Sequence, residues 1–165
     1  MSLTTARQHL ARFGAAERVV EHPTSSATVE LAAQAVGTTP QRIAKTLAFT
    51  LPDGPIVIVV AGDARIDNRA YKARFGVKAS MISPSQVEQA TGHGVGGVCP
   101  FGLAEGVRVY LDTSLRRFQT VFPAAGSPNS SIEVTIKELE TFSEYGQWVS
   151  VCAVPDSGAD QRGDV

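Results

Sequence analysis

The stretch that decides the fold is "RIAKTLAFTLPDGPIVIVV", residues 42–60. Two apolar runs flank Asp53-Gly54, a dipeptide typical of tight turns between antiparallel strands. The preceding "TTPQ", residues 38–41, contains Pro40 and indicates a turn or a single helical turn. The sequence therefore predicts a β-hairpin whose first strand starts at about Ala44.

Outward from this hairpin, short helix and strand patterns are intermixed without regular βαβ alternation. Helical patterns cover residues 3–13, 25–36, 65–75, 83–91, 113–118 and 137–143. Strand patterns cover residues 18–22, 78–82, 107–112, 119–126, 130–136 and 147–154. This mixture favours an α/β fold of the α+β type, with a mixed, largely antiparallel, barrel-like sheet and helices packed outside. We expect one domain over residues 1–154 and a disordered polar tail over residues 155–165.

Composition narrows the class of protein. The chain has 165 residues, 43% of them hydrophobic and 19% charged, which is typical of a single globular domain. Its net charge of -1 argues against a protein that binds nucleic acid mainly through phosphates, so any RNA contact should be local. No apolar run approaches a membrane span, no secretory signal is visible, and the two cysteines suit reduced thiols. We expect a cytoplasmic protein that does not contact membranes.

The stretch "TGHGVGGVCPFG", residues 91–102, is the first candidate site. It is not a phosphate-binding P-loop, because no Gly-Lys-Ser/Thr follows, and it lacks the strand–helix setting of a dinucleotide fingerprint. Cys99 is a possible nucleophile if His93 acts as its base, or simply a small buried residue. Alternatively, the N–H groups of Gly96 and Gly97 bind a carbonyl oxygen while Pro100 stiffens the loop. Ordinary turn glycines explain the composition equally well.

Lys45 is the second candidate. Strand alternation places it on the same face as Ile43 and Leu47, where an ammonium is anomalous unless it points into a polar pocket or reaches past the strand end. Asp63 and Arg65 follow the apolar strand "PIVIVV" and suit a pocket rim or a surface ion pair. The turn "AAGSPNSSI", residues 124–132, offers amides and hydroxyls, although turn chemistry alone explains it. The three histidines are too far apart for a metal site, and we expect no cofactor.

Taken together, these segments resemble the YbaK/EbsC family, which is related to the editing domain of bacterial prolyl-tRNA synthetases. The likeness is carried by "RIAKTLAF", "GDARID", "TGHGVGGVCPFG" and "FPAAGSPNSSIEVT", in the family's order, over about residues 3–152. It implies a compact α/β domain that deacylates mischarged aminoacyl-tRNA, of the Cys- or Ala-tRNA(Pro) class, in trans. The implied partners are the 3′-terminal adenosine and aminoacyl ester of that tRNA, and a prolyl-tRNA synthetase.

The resemblance also implies site residues. Lys45 corresponds to the family's key lysine, and Gly96 to Pro100 correspond to its G-x-x-x-P loop, so Lys45, Gly96 and Gly97 become the expected catalytic residues. The expected substrate-binding residues are Thr46, Asp63, Arg65, Val98, Cys99, Pro100, Gly126 and Asn129. Candidates for a local phosphate-facing patch are Arg42, Arg65, Lys72 and Arg74. The alternative function is a non-catalytic binding module of the same fold, for an adenosine-containing ligand or a protein partner.

Overall fold

A long β-hairpin forms the centre of the molecule in the computed structural model, which describes residues 2–155. Strands β2 (Ile43–Leu51) and β3 (Gly54–Ala61) pair antiparallel, from Ala44 opposite Ala61 to Leu51 opposite Gly54. The hairpin predicted around Asp53-Gly54 is confirmed.

The hairpin is extended on both sides into a six-stranded sheet. The other strands are β1 (Val20–Glu21), β4 (Arg65–Ile66), β5 (Arg108–Asp112), β6 (Thr120–Pro123), β7 (Ser130–Ser131), β8 (Val134–Thr135), β9 (Gln147–Val149) and β10 (Cys152–Ala153). The large sheet has the order β8-β6-β2-β3-β5-β9, and β1-β7 and β10-β4 form two-stranded sheets. The pairs β2–β6, β3–β5 and β5–β9 are parallel, whereas the other pairs are antiparallel. The large sheet curls into a half-barrel, which confirms the predicted mixed, barrel-like fold.

Within residues 2–155, five α-helices accompany the sheet. They are α1 (Ser2–Ala11), α2 (Val29–Val36), α3 (Asn68–Phe75), α4 (Val87–Thr91) and α5 (Ile136–Ser143). The residue just before the helix fixes where α2 and α3 begin: Thr28 Oγ1 accepts the Leu31 N–H, and the Asp67 carboxylate accepts N–H groups of the first turn of α3. No helix within residues 2–155 is long and apolar enough to cross a membrane.

The core lies on both faces of the hairpin. Residues 56–61 of β3 are fully buried. On one face, aromatic rings stack in a chain from Phe49 through Tyr71 and Phe75 to Tyr110, which fixes α3 against the sheet. This packing fixes α3 and, through it, the segment that joins β3 to the helix, which lies beside the site described below.

Several predicted elements differ in the structure. The helix predicted from residue 65 begins at Asn68, because Arg65–Ile66 pairs with β10 as strand β4. Residues 78–82 form only a single bridge, between Met81 and Phe49, rather than a strand, and the helix predicted from Ser83 begins at Val87 after a turn. The strands predicted over residues 130–136 and 147–154 are each divided in two, because their halves join different sheets. Apart from Pro155, the predicted tail lies outside the described residues.

Candidate functional site

The candidate site lies at a gap in the sheet beside β2. On one edge β2 pairs continuously with β3, but on the other its ladder with β6 ends at Ala44 opposite Pro123. The next partner on that edge is the bridge between Phe49 and Met81. Between these points, residues 45–47 have no partner on this edge within the described chain, and a cavity of about 340 Å³ occupies the gap.

The main chain of Thr46 points into this gap. Ala48 O accepts the Ile82 N–H and the Thr50 N–H donates to Ser80 O, so main-chain groups of even-numbered residues face away from β3. Alternation therefore directs the N–H and C=O of Thr46 toward the cavity that this residue lines. The Thr46 hydroxyl is also buried without a hydrogen-bond partner among residues 2–155. A main-chain N–H and C=O without partners, such as those of Thr46, are suited to binding a polar ligand.

Among residues 2–155, Lys45 is the one charged residue that lines the cavity. The polar lining residues are Ser26, Thr28, Lys45, Thr46, Ser130 and Ser131, and the larger apolar ones are Val29, Ile43, Leu47, Met81, Ile82, Val87, Val95, Val98 and Phe122. No carboxylate lines it within residues 2–155. A small, mostly apolar cavity with one ammonium matches a ligand that combines a short apolar group with a negative or carbonyl oxygen.

Lys45 is held by a single hydrogen bond. Its Nζ donates to Gly62 O at 3.3 Å, and no carboxylate of the described chain lies within 4.0 Å of it. Burial lowers the pKa of Lys45 below that of an ordinary lysine, although the nearby Cys152 and Asp63 oppose the shift. Since an ammonium has three donors, the two hydrogens not directed at Gly62 remain available to a ligand.

Gly62 fixes this acceptor. A Cβ at Gly62 would overlap the carbonyl oxygen of Pro40, so any larger residue would displace the turn that precedes β2. A Cβ placed on Gly62 would also lie only 2.9 Å from a Val29 methyl group at the start of α2. The carbonyl that holds Lys45 is thus locked between two elements. The sequence analysis did not single out Gly62, because only the tertiary approach of Pro40 reveals its role.

The glycine loop contributes a tight turn rather than two free amides. Gly97 N–H donates to Gly94 O at 3.0 Å, and Gly96 has φ 86°, as the third residue of a type II turn requires. The Gly96 N–H has no hydrogen-bond partner among the described residues, and Gly96 lines the cavity. Gly97 is buried against Gly126. Of the two amides expected to act, the structure leaves that of Gly96 free.

The remaining predicted residues fall into two groups. Lys45, Thr46, Gly96 and Val98 are brought together in the lining of the cavity. The others lie outside the lining: these are Asp63, Arg65, Gly97, Cys99, Pro100, Gly126 and Asn129.

Each residue outside the lining has another environment. Asp63 pairs with Arg117 at 2.5 Å, and Arg65 is exposed. Gly126 packs so tightly on Ser2 that a Cβ would overlap its carbonyl oxygen, and Asn129 Nδ2 donates to His22 O. Asp63, Gly126 and Asn129 therefore have structural contacts that explain the sequence pattern around them.

Cys99 has no base to activate it. Its Sγ lies 3.5 Å from His93 Nε2, but that nitrogen is also 2.6 Å from Phe101 O. Because a carbonyl only accepts, Nε2 carries the hydrogen and cannot receive the thiol proton. Burial raises the pKa of Cys99 to about 12. Cys99 is fully buried and behaves as a small core residue.

Several lining residues were missed by the sequence analysis. Met81, Ile82 and Phe122 come from segments assigned to regular strands, and Ser131 comes from a turn whose amides and hydroxyls were considered without this residue being named as a site residue. Each reaches the cavity through long-range packing on either side of the gap in β2. No local pattern in the sequence marks them.

The sequence of this chain is similar to a known domain family and to a bacterial protein. The family model described as the aminoacyl-tRNA editing domain matches residues 23–142, which include β2, the segment after β3 and the glycine loop. The uncharacterized protein YwhH of Bacillus subtilis (strain 168) is 54% identical over 153 residues, covering 92% of this chain and 98% of its own length.

Two further matches concern prolyl-tRNA. A proline–tRNA ligase of Nitratidesulfovibrio vulgaris (strain DP4) is 34% identical over 103 residues, which are 61% of this chain but only 18% of the ligase. The crystal structure of a proposed trans-editing enzyme for prolyl tRNA synthetase superposes with a TM-score of 0.83 at 30% identity, covering 92% of this chain and 97% of the other. The family model spans the elements that build the gap beside β2, and the fold is shared over nearly the whole length of that structure. The chain therefore belongs to the family of aminoacyl-tRNA editing domains.

Proposed function

We propose that this protein is a hydrolase that removes the amino acid from mischarged aminoacyl-tRNA in trans, of the Cys- or Ala-tRNA(Pro) class. The observation that carries the proposal is the cavity at the open edge of β2, where Lys45 is the one charged lining residue of the described chain. The 3′-terminal adenosine of the tRNA would lie at its mouth, with the aminoacyl ester inside. Membership of the editing-domain family supports this substrate class.

The proposed chemistry needs no protein nucleophile, because an aminoacyl ester is already activated. Water adds to the ester carbonyl carbon, the bond to the ribose oxygen breaks, and that oxygen receives a proton from the attacking water. The neighbouring ribose hydroxyl relays the proton. When the amino acid is cysteine, its own thiol attacks the carbonyl carbon instead, the thiol proton passes to the leaving ribose oxygen, and water then opens the resulting thiolactone. Free amino acid and uncharged tRNA leave. Positioning and a few aimed dipoles supply most of the rate in such a reaction.

Lys45, Gly96 and the main chain of Thr46 each have a role in this scheme. The Lys45 ammonium binds the terminal phosphate or polarises the ester. The N–H groups of Gly96 and Thr46 donate to the carbonyl oxygen as negative charge develops on it. The Thr46 carbonyl accepts from the substrate's α-ammonium, for which the lining offers no carboxylate. Gly97 would contribute an amide only if its turn with Gly94 opened.

The size of the cavity sets the selectivity. In an apolar pocket one methylene changes the free energy of binding by only about 1–3 kcal/mol. Small side chains such as those of alanine, cysteine and serine should therefore be cleaved with overlapping efficiencies.

The test of this function is hydrolysis of tRNA(Pro) charged with alanine, cysteine, serine or proline. We expect alanyl or cysteinyl esters to be cleaved well above the spontaneous rate and the prolyl ester to persist. If no ester is cleaved faster than in buffer, the enzyme is ruled out. The alternative of a non-catalytic module would then be tested by binding of adenosine-containing ligands and of prolyl-tRNA synthetase.

Replacing Cys99 with serine tests the absence of a cysteine nucleophile. We expect kcat/KM to stay within about threefold of wild type, because the thiol lies outside the cavity lining and its hydroxyl replacement can still donate to Phe101 O. The measurement is deacylation of the best ester of the panel. Complete loss of activity with retained folding would restore Cys99 as the nucleophile.

The variant Gly96→Ala tests whether the turn between Gly94 and Gly97 contributes to activity. We expect a loss of about tenfold to 100-fold in kcat/KM, because alanine is strained at φ 86° and its Cβ would press on Ala27 and Pro128, each 3.3 Å away. The matched control is Gly106→Ala, which has a similar φ of 90° but no atom within 4 Å. Both variants share the strain of a positive φ, whereas only Gly96 lines the cavity. Equal activities of the two variants would contradict a role for the Gly96 turn.

A further inference from the structure

Positive charge is unevenly neutralised over the surface. Arginines in several parts of the chain lie within 4.0 Å of a carboxylate: Arg7, Arg12, Arg18, Arg42, Arg108 and Arg117. A second group of cations has no carboxylate within 4.0 Å among residues 2–155. We call this group the basic strip; its members are Arg65, Arg69, Lys72 and Arg74. In a chain of net charge -1, this concentrates uncompensated positive charge in one short segment.

The basic strip begins beside the cavity and extends away from it along α3. Arg65 lies near enough to Lys45 that its charge helps to lower the pKa of that lysine. From there the strip follows α3 to Arg74, whose guanidinium lies over Tyr110 of β5, two positions from β2 in the sheet order. A polymer whose end occupies the cavity could therefore continue past Arg65 along the strip.

The strip faces solvent along α3. Tyr71, on the inner face of this helix, has no exposed surface, whereas Arg69 and Lys72 are exposed and lie three residues apart, as neighbours on a helix surface. Arg69 occupies the first turn, where the helix dipole disfavours a cation, so helix stability does not account for it.

Arg74 is already ordered. Its guanidinium stacks over Phe75 at 5.0 Å and Tyr110 at 5.6 Å, and it donates to the side-chain oxygen of Gln147. A guanidinium fixed in this way loses less conformational entropy when it binds an anion.

We infer that the basic strip binds the phosphate backbone of the tRNA acceptor stem. The direction of the RNA rests on the proposed function, which puts the 3′ end in the cavity. A protein partner fits less well, because α3 carries none of the exposed large hydrophobic residues of the described chain, whereas protein interfaces have an apolar centre. Arg42, a candidate from sequence, is excluded: it pairs with Glu133 and bonds to Thr120.

The test is the double variant Arg69→Glu/Lys72→Glu, with Lys137→Glu as the control. Lys137 is an exposed cation on α5 without a carboxylate partner in residues 2–155, so its reversal makes, at another place, the same charge change as each single reversal in the strip. Binding of uncharged tRNA is measured by fluorescence anisotropy over a salt series. Hydrolysis is measured for full-length charged tRNA and for the same amino acid on a CCA trinucleotide, which has no stem.

We expect the double variant to weaken tRNA binding by about tenfold or more and to reduce the slope of log K against log salt by about 2. Its cleavage of full-length tRNA should fall, while cleavage of the trinucleotide ester and the behaviour of Lys137→Glu should match wild type. Unchanged tRNA binding, or equal losses on both substrates, would overturn the inference. Unchanged tRNA binding with lost binding of prolyl-tRNA synthetase would assign the strip to a protein instead. If no ester is cleaved but tRNA binding still falls, the strip stands and the proposed hydrolase does not.

Discussion

Lys45→Met is expected to lower kcat/KM for a mischarged aminoacyl-tRNA by about 100- to 1,000-fold, the size of effect seen when a charge-stabilising donor is removed from an active site. Methionine has nearly the length and volume of lysine, so the change removes the ammonium without opening a hole beside Gly62. The measurement is single-turnover deacylation of the best ester of the panel, compared with Lys137→Met.

The same variant should fold normally. Burial disfavours the Lys45 ammonium, as the lowered pKa of this residue indicates, and its partner is a single main-chain carbonyl. Loss of the charge should therefore leave the melting temperature unchanged or raise it. A Lys45→Met protein that retains more than about a third of wild-type activity would remove Lys45 from the mechanism.

Asp112→Ala should produce the largest loss of stability among the substitutions considered, about 2–6 kcal/mol in the free energy of unfolding. The carboxylate is 1% exposed and accepts two main-chain hydrogen bonds, from Ser114 at 2.9 Å and from Val151 at 2.8 Å. Each buried N–H left without an acceptor costs about 1–3 kcal/mol. Urea denaturation of the two proteins measures the difference.

Loss of the Asp112 carboxylate should also disturb the candidate site around Lys45. Ser114, which Asp112 positions, accepts the Ala61 N–H at 3.1 Å, directly before Gly62. Val151 precedes β10, which pairs with β4 beside Lys45. Asp53→Ala is the matched control, because Asp53 is a carboxylate with a 70% exposed side chain that pairs with Arg108 and should contribute less than about 1 kcal/mol. Similar losses in both variants would contradict a special role for the buried carboxylate.

Local signals in the sequence predicted much of the fold. The hairpin β2–β3 follows from Asp53-Gly54 between two apolar runs, and the ends of α2 and α3 follow from the residues at their caps. Elements that depend on distant partners were predicted less well. Residues 147–154 were predicted as one strand, but β9 pairs with β5 whereas β10 pairs with β4, so the strand must break between them. Apolar patterning shows that a segment is extended, not which strand lies beside it.

By itself, then, the sequence determined the central hairpin, the helices and the candidacy of Lys45, since an ammonium among apolar strand residues is anomalous wherever the strand lies. The tertiary structure alone decided that β6 leaves β2 after Ala44, which opens the cavity and exposes the main chain of Thr46. It also decided that Gly96 rather than Gly97 has a free amide, and that Cys99 is buried behind the loop. The physical reason is that residue type and spacing encode local conformation, whereas an unpaired strand edge exists only where distant segments fail to meet.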